Sequence, residues 1–303
     1  MSDRNRTPAG DRAGVPKRIF SPARDEAQVA RDIATITPQT QDPSYRLAFQ
    51  DDEFLLRDDL RPVRFQLELL KTQVTIAEAN IASTFVFYGS ARIPEPERVP
   101  MMVEAARTPE QKRVADRLAS VAHYYDEARK LARLASQVKP DEDGKRQFVV
   151  CSGGGPSIME AANRGAHDVG ADTIGLNIVL PHEQAPNPYV TPHLSLRFHY
   201  FALRKMHFLL HARAVAVFPG GFGTFDEFFE LLTLVQTGKT APLPILLFGR
   251  EFWETVVNWQ ALADYGVINP QDLELFRFVE TAEEAWKIVC DYYAVEAQRS
   301  AAE

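Results

Sequence analysis

The chain alternates short apolar runs with longer helical patterns, and three of the runs end in turns rich in glycine or serine. The three runs with their turns cover residues 85–92, 147–155 and 214–223. Strands that alternate with helices predict right-handed crossovers and a parallel sheet covered on both faces. The carboxyl ends of parallel strands share one edge of the sheet, where ligands bind. We therefore expect the three turns to lie close together.

The same alternation predicts the fold class. Further strands are predicted at 172–178, at 243–248 and near 276–279. Helices are predicted at 108–137, 156–169, 198–212, 223–236, 251–262 and 281–294. We predict an α/β protein with a Rossmann-like, doubly wound parallel sheet, helices on both faces and a helical N-terminal extension. None of the turns has the spacing of a dinucleotide-binding motif.

Residues 219–223, which we call the Pro219 turn, are the most informative of the three. The turn reads PGGFG and leads into a helical pattern. Glycine tolerates positive φ and lets amide N–H groups converge, and the start of a helix carries partial positive charge. With Thr224 as a favoured N-cap residue, these features predict a site for phosphate or another anion. Glu227 follows one helical turn later, close to whatever the turn binds.

Two structural interpretations of this segment stay open. Glycine turns between a strand and a helix also occur as plain tight connections. Thr224 and Glu227 have the spacing of a capping box, in which the glutamate reaches back to the N-cap N–H. The functional interpretation is favoured by a second cluster, residues 153–155, which we call the Gly153 turn. It repeats the order of strand, turn and helix, and Pro156 suits the first helical position.

The two turns and the residues after them resemble the LOG ("lonely guy") family. The resemblance rests on residues 153–160 (GGGPSIME), residues 219–227 (PGGFGTFDE) and the pair Arg204-Lys205 between them. It covers roughly residues 83–290. LOG proteins are phosphoribohydrolases that cut the N-glycosidic bond of purine or cytokinin nucleoside 5′-monophosphates. Many have also been described as possible lysine decarboxylases.

The resemblance also implies roles for individual residues. Glu227 would stabilise an oxocarbenium-like sugar or activate water, as carboxylates do in glycosidases, and Arg204 would orient the substrate. The 5′-phosphate would bind at Gly220, Gly221, Gly223 and Thr224. The other substrate-binding residues would be Gly154, Gly155, Met159, Glu160, Ser90 and Lys205. The family pattern has Leu-Glu-Glu after the threonine, whereas this chain has Phe-Asp-Glu, so the role of Asp226 is open.

Residues 197–207 are predicted to be helical and to bring basic side chains to one face. Arg197, Arg204 and His207 are separated by seven and three residues, which are close to whole helical turns. Lys205 would point roughly 100° away from Arg204. A salt bridge on a solvated face is the alternative role for Arg204.

Other chemically suggestive residues have structural interpretations. Five histidines lie between His182 and His211, but their spacing fits no metal motif, so we expect them to pack or to line a cleft. Cys151 precedes a glycine turn, but the sequence places no base beside it to activate a nucleophile.

Composition limits the partners. The chain has 303 residues, is 45% hydrophobic and carries a formal charge of −7, which disfavours a general nucleic-acid binder. Two cysteines give neither a disulfide framework nor metal spacing, which suits a cytoplasmic location. No apolar run reaches the roughly 18–20 residues of a membrane span. The resemblance implies a small-molecule nucleotide ligand, no cofactor, and a homodimer or larger homo-oligomer.

Four segments are predicted along the chain. They are a disordered tail (1–24), a helical extension (25–82), a Rossmann-like nucleotide-binding catalytic domain (83–295) and a flexible end (296–303). Within the extension, apolar residues from Val63 to Ile81 recur at offsets of four and three, which indicates one helical face. We expect that face to pack on the core or on a neighbouring subunit. The extension and the long loop between Pro181 and Pro192 resemble the larger bacterial branch of the family.

Three functions stay open at this point. The first is a nucleoside 5′-monophosphate glycosidase. The second is a non-catalytic carrier of a nucleotide or of molybdenum cofactor on the same fold, against which the presence of both Arg204 and Glu227 speaks. The third is a lysine decarboxylase, which normally needs a pyridoxal Schiff base, and Lys205 and Lys239 lie in no pyridoxal signature.

Overall fold

The computed structural model describes residues 20–32, 35–181 and 185–300. Most of the tail predicted at 1–24, and residues 182–184 of the long loop, lie outside the described residues. The chain divides into two compact units, one ending at Leu67 and one beginning at Glu68. The division falls inside a helix, whereas the sequence placed the boundary at 82/83.

The N-terminal unit consists of short helices. They are α1 (Ala23–Arg31), α2 (Pro38–Gln41), α3 (Asp52–Leu55) and the first part of α4 (Arg61–Glu78). Local capping explains where the short ones begin. Thr37 accepts from the N–H of Thr40 at the start of α2, and Asp51 accepts from the N–H of Phe54 at the start of α3. A helical N-terminal segment is therefore present, as predicted.

The second unit is built on seven parallel strands. They are β1 (Thr84–Tyr88), β2 (Val149–Ser152), β3 (Thr173–Ile178), β4 (Ser195–Phe198), β5 (Ala212–Val217), β6 (Ile245–Phe248) and β7 (Arg277–Val279). Their order in the sheet is β4-β3-β2-β1-β5-β6-β7. Every residue of β1, β2, β3 and β6 is buried, as expected for strands covered on both faces.

Helices cover both faces of this sheet. They are α5 (Val99–Ala105), α6 (Pro109–Val121), α7 (His123–Ala135), α8 (Ile158–His167), α9 (Phe201–Leu210), α10 (Phe222–Gln236), α11 (Arg250–Val256), α12 (Trp259–Asp264) and α13 (Ala282–Ser300). On one face, α7, α8 and α13 enclose a core that contains Phe85 and Phe87. On the other, Phe208 of α9 packs edge-on against Tyr88 at 5.2 Å between ring centroids. The doubly wound α/β fold is confirmed.

Strand order reverses beside β1. The chain winds outward from β1 through β2 and β3 to β4, then returns to place β5 against the other side of β1. The crevice at the carboxyl ends of β1 and β5 is the topological switch point, where ligands bind in open α/β sheets. The Pro219 turn follows β5 at this point.

Strand β4 was missed in the sequence, which predicted a helix from residue 198. Leu196 and Phe198 are buried while Arg197 between them is exposed, and that alternation is the strand signal. Helix α9 begins only at Phe201. Two other predicted helices, 108–137 and 251–262, are each two helices, and α13 continues past residue 295 to Ser300.

Within the chain, helix α4 buries residues that lie outside the predicted apolar face. Its buried residues are Thr72 and Ile76, whereas Leu70 and Val74 are about half exposed. The helix is held against the rest of its unit by a carboxylate, because Glu68 accepts from the backbone N–H groups of His199 and Tyr200. Leu70 and Val74 do not pack on the core, and the other alternative, that this face packs on a neighbouring subunit, stays a prediction. No helix in the described ranges is long and apolar enough to cross a membrane.

Candidate active site

The candidate site lies at the switch point, where the turns after β1 and β5 are tied together. The N–H of Ser90 donates to the carbonyl of Pro219 at 3.1 Å, and the N–H of Phe218 donates to Tyr88 at 2.8 Å. Ser90 therefore lies beside the Pro219 turn, as predicted from its position at a strand end.

The glycines of the Pro219 turn are not explained by positive φ. None of Gly220, Gly221 and Gly223 has a positive φ, so the predicted reason for them is wrong. A Cβ at Gly220 would lie 2.2 Å from Oγ1 of Thr224, so packing requires glycine there. A Cβ at Gly221 or at Gly223 would meet nothing within 4 Å. At those two positions the protein leaves open space over exposed backbone.

Thr224 is the third residue of α10 rather than its N-cap. The N-cap is Gly221, whose carbonyl accepts the first helical hydrogen bond, from the N–H of Phe225 at 3.0 Å. Thr224 and Glu227 therefore cannot form the capping box, and that interpretation of Glu227 is wrong. The first N–H groups of this 15-residue helix have no acceptor within the helix, and a helix start of this kind suits an anion.

Glu227 faces Arg204 across the crevice. Their side chains are largely buried, and Nη1 of Arg204 lies 3.5 Å from Oε1 of Glu227. Burial raises the pKa of Glu227 to about 7, although the positive charges of Arg204 and Lys205 oppose the shift. A carboxyl group with a pKa near neutrality is suited to acid–base chemistry or to stabilising positive charge.

Arg204 is fixed by contacts on three sides. Its Nε donates to the carbonyl of Leu176 at 2.7 Å, and its guanidinium carbon lies 5.1 Å from the centre of the Phe208 ring. A Cβ at Gly153 would lie 2.6 Å from its Nη2. Gly153 is therefore the position at which a side chain would displace the guanidinium.

The Gly153 turn is tightly filled. Gly154 has a φ of +71°, and a Cβ there would lie 2.7 Å from Oδ1 of Asn177. Met159 lies over the turn, with Sδ 2.7 Å from a Cβ at Gly153 and Cε 2.7 Å from one at Gly155. The side chains of Arg204 and Met159 therefore fill the space over this turn.

Buried amides hold this turn in place. The N–H of Asn187 donates to the carbonyl of Gly154 at 2.8 Å, and its Nδ2 donates to the carbonyl of Gly155 at 3.0 Å. Nδ2 also donates to the fully buried Asn163, whose Oδ1 accepts from Ser152 at 2.7 Å. Unpaired, these amides would be costly at such depth, so the network fixes the conformation of the turn.

Lys205 pairs with two acids of α10. Its ammonium lies 3.1 Å from both Asp226 and Glu230. Burial alone would lower the pKa of Lys205, but the hydrogen bonds to Asp226 and Glu230 outweigh it and raise the pKa. The acid that departs from the family pattern thus has a partner, because Asp226 joins α9 to α10 through this lysine.

Two residues predicted from the helical spacing have other surroundings than the predicted shared face. Arg197 lies on β4 and not on the helix of Arg204. His207 is buried, with Nδ1 2.8 Å from the carbonyl of Leu203 and Nε2 3.3 Å from that of Leu69. The predicted basic face is therefore wrong, and Arg204 is the member of the trio that pairs with Glu227.

Glu160 and Cys151 have structural surroundings. Glu160 accepts from the hydroxyl of Tyr125 at 3.2 Å and lines a separate pocket of about 500 Å³, so its predicted contact with the substrate stays a prediction. Burial raises the pKa of the Cys151 thiol far above its ordinary value, which disfavours a thiolate nucleophile. The described residues contain no group of metal-ligating side chains.

Sequence reasoning missed the residues that hold Arg204. Gly153 stood in the quoted motif without a role, and its role needs the position of Arg204 in space. The Leu176 carbonyl is invisible to side-chain patterns. The Asn163–Asn187 pair had one available signal in the sequence, an asparagine next to a proline in the long loop.

Comparison with protein families supports the resemblance. Residues 159–289 match the model of the family described as possible lysine decarboxylase. The chain is 25% identical over 147 residues to cytokinin riboside 5′-monophosphate phosphoribohydrolase LOG3 of Arabidopsis thaliana, over 48% of this chain and 67% of the relative.

Solved structures include similar chains. One, an X-ray structure from a structural genomics consortium, is 22% identical with a TM-score of 0.42, over 69% of this chain and 99% of the other. Another, the molybdenum cofactor carrier protein of Chlamydomonas reinhardtii, is 17% identical with a TM-score of 0.40, over 70% of this chain and 99% of the other. The family match, the similarity to LOG3 and the motif residues the chain retains all support the resemblance to the LOG family.

Proposed function

We propose that this protein hydrolyses the N-glycosidic bond of nucleoside 5′-monophosphates, AMP or a cytokinin riboside 5′-monophosphate, to give free base and ribose 5-phosphate. The observation that carries the proposal is the pairing of Arg204 with a largely buried Glu227 beside an open, glycine-lined helix start. That arrangement provides an anion site within reach of a carboxylate.

The phosphate would occupy the open space over Gly221 and Gly223, next to the N-terminus of α10. A nucleotide anchored there presents its sugar to Glu227, which lies one helical turn further along the same helix. The anchor converts remote binding energy into positioning of the scissile bond. A nucleoside without phosphate should therefore be a poor substrate.

In the bond-breaking step the sugar develops positive charge at C1′ as the base departs with the bonding electrons. The ionised carboxylate of Glu227 would stabilise that charge or take a proton from the attacking water. Arg204 would hold Glu227 and the substrate in register, because its guanidinium is fixed by Leu176 and lies against Gly153.

The decarboxylase alternative is disfavoured by the state of Lys205. A Schiff-base lysine must lose its proton, whereas pairing with Asp226 and Glu230 raises the pKa of Lys205 and keeps it charged. This lysine is therefore suited to joining α9 and α10, not to covalent catalysis.

We also propose that the protein acts as a homodimer or larger homo-oligomer. Helix α9, which carries Arg204, exposes Phe201 (53%), Met206 (43%) and Leu210 (42%). Met206 and Leu210 are four residues apart and share one helical face, and exposed apolar neighbours of this kind are typical of a surface that another subunit covers. Sedimentation at several protein concentrations tests this proposal, and a monomer at all of them would contradict it.

The decisive experiment is release of free base from a panel of nucleoside 5′-monophosphates, followed by chromatography. Glu227→Gln should bind AMP but lose at least roughly a thousandfold in kcat. Asp226→Asn is the matched control, since it removes a neighbouring carboxylate that pairs with Lys205, and it should retain most activity. Equal losses in the two variants would contradict the role of Glu227. Tight nucleotide binding with no base release from any substrate would favour the carrier.

A further inference from the structure

A second cavity adjoins the Pro219 turn and is lined by neither Arg204 nor Glu227. It has a volume of about 750 Å³. Its walls come from the turn after β1, from α6 and the start of α7, from Gly220 and Gly221, and from α11. The backbone of the Pro219 turn thus borders this cavity as well as the site of Glu227.

Three arginines line the cavity. They are Arg92 after β1 and Arg113 and Arg117 on α6, and Glu251 is the one acidic side chain among the lining residues. Within the described parts of the chain, no ion pair or hydrogen bond involves the three guanidinium groups. All three side chains are exposed, so their charges reach the open cavity.

The spacing of Arg113 and Arg117 makes this arrangement costly. Residues four apart on a helix are neighbours, and like charges there repel. Glu110 and Asp116 lie on the same helix and Glu251 lines the cavity, but none of these carboxylates forms an ion pair with the arginines in the described residues, so the repulsion is relieved by solvent or by a bound anion. The positive charge therefore favours an anionic ligand in this cavity.

The rest of the lining is apolar and aromatic. Helix α6 contributes Val114, Leu118 and Val121, and the facing wall contributes Tyr124 and Phe252. A cavity of this volume is in the range of small-molecule sites. Apolar walls beside unpaired arginines suit a molecule with an aromatic body and an anionic end, not a bare inorganic ion.

We propose that this cavity is a second ligand site, which binds an organic phosphate of nucleotide size and adjoins the site of Glu227 across Gly220 and Gly221. Its phosphate groups bind to Arg92, Arg113 and Arg117, and its body packs against the apolar face of α6. The proposal goes beyond the hydrolysis proposed above and does not depend on it. Because both sites share Gly220 and Gly221, occupancy of one alters affinity at the other, and the coupling is reciprocal.

The test uses ATP as the probe, with the full chain carrying Glu227→Gln so that AMP persists. Equilibrium dialysis with labelled ATP, in the presence of saturating AMP, should show one ATP bound per chain. Raising the salt concentration should weaken binding, because the arginines are exposed and their attraction is screened. ATP that is fully displaced by AMP would overturn the proposal, while base release by the wild type would still support the hydrolase.

Two charge reversals on α6 distinguish binding in the cavity from a general effect of the protein's charge. Arg117→Glu should weaken ATP binding by about tenfold or more, since it removes a charge-assisted contact and adds repulsion. Lys112→Glu makes the same change on an exposed neighbour that does not line the cavity, and should change ATP binding by less than about threefold. If the two variants weakened ATP binding equally, the proposal that ATP binds in this cavity would be wrong.

Competition defines the class of ligand. Pyrophosphate should displace ATP more weakly than ADP does, because it lacks the body that the apolar wall binds. Pyrophosphate that competes as well as ADP would overturn the claim that the site recognises an aromatic body.

Discussion

The Pro219 turn and the Gly153 turn both follow strands of one sheet and both carry three glycines, yet their surroundings differ. At the Pro219 turn, two of the glycines face open space and none has a positive φ. At the Gly153 turn, each glycine is in close contact with a side chain, and Gly154 has a φ of +71°. One turn leaves room for a ligand, and the other holds Arg204 against its backbone.

The difference teaches that glycine has two separate uses at a binding edge. Glycine at 221 and 223 keeps the backbone accessible from outside the protein. Glycine at 153 keeps it accessible to a side chain of the protein itself. Glu227 follows the open turn, and Arg204 packs against the filled one. The candidate catalytic pair therefore joins the two turns across the crevice.

Among changes to the two turns, the largest effect is expected at the filled turn. In Gly153→Ala the new methyl group would lie 2.6 Å from Nη2 of Arg204 and 2.7 Å from Sδ of Met159. Both side chains end in flexible groups and can move, so the fold should persist while the guanidinium shifts. We expect kcat for base release to fall about a hundredfold, the usual cost of a displacement near 1 Å.

Gly155→Ala is the comparison variant for that experiment. Its methyl group would contact Met159 but not Arg204, so the loss should be smaller. Steady-state kinetics of each variant measure the loss in kcat, and a denaturation curve of each shows whether the fold persists. A Gly153→Ala enzyme with wild-type kcat would show that the turn does not position Arg204.

At the open turn, the second prediction separates ligand binding from folding. Gly221→Ala should leave stability unchanged, because its methyl group meets nothing within 4 Å and its φ of −101° suits alanine. The methyl group would occupy the ligand space, so KM for AMP should rise about tenfold, by roughly the energy of one good contact.

Gly220→Ala should behave in the opposite way. Its methyl group would lie 2.2 Å from Oγ1 of Thr224, and overpacking of this kind costs about 1–3 kcal/mol. KM measurements and thermal unfolding of both variants test the contrast. If Gly221→Ala were the less stable of the two, the space over that turn would not be open.

The third prediction concerns the pH dependence of activity, which depends on Glu227 beside the open turn and on Arg204 beside the filled one. Glu227 has a pKa of about 7 and is needed as a carboxylate, so activity should rise from pH 6 to pH 8. Below the pKa, the ionised fraction falls about tenfold per pH unit. The positive charge of Arg204 lowers the pKa of Glu227, so Arg204→Gln should shift the profile of the residual activity to higher pH. If the pH profile of Arg204→Gln did not shift, Arg204 would have no influence on the pKa of Glu227.

The smallest effect is on stability. Burial raises the pKa of Glu227 above its value in the unfolded chain, so the folded state binds the proton more tightly. Stability is therefore greatest below pH 4.5 as far as this group is concerned, and it falls as the pH rises through about 7. At pH 8, Glu227→Gln should be more stable than the wild type by up to about 3 kcal/mol. Chemical denaturation at pH 8 and at pH 5 measures this, and the gain should shrink at pH 5.

Sequence reasoning located most strands because their residues are buried on both faces and therefore continuously apolar. It missed β4, whose four residues alternate between buried and exposed and lie against the start of a helix. It placed Glu227 near the Pro219 turn correctly for a local reason, since both belong to one turn-helix unit. It misplaced Arg197 because a spacing of seven residues means a shared face only if the whole segment is helical.

The sequence by itself determined the alternation of strands and helices, and with it the parallel sheet whose carboxyl edge carries the turns. It also determined the local unit of turn, helix and carboxylate, because those features depend on residues close together in the chain. Only the tertiary structure decided which glycines face open space, that Asp226 pairs with Lys205, and that burial raises the pKa of Glu227 to about 7. Those properties depend on what lies opposite each residue, and strand order and helix packing bring together segments that are distant in the chain.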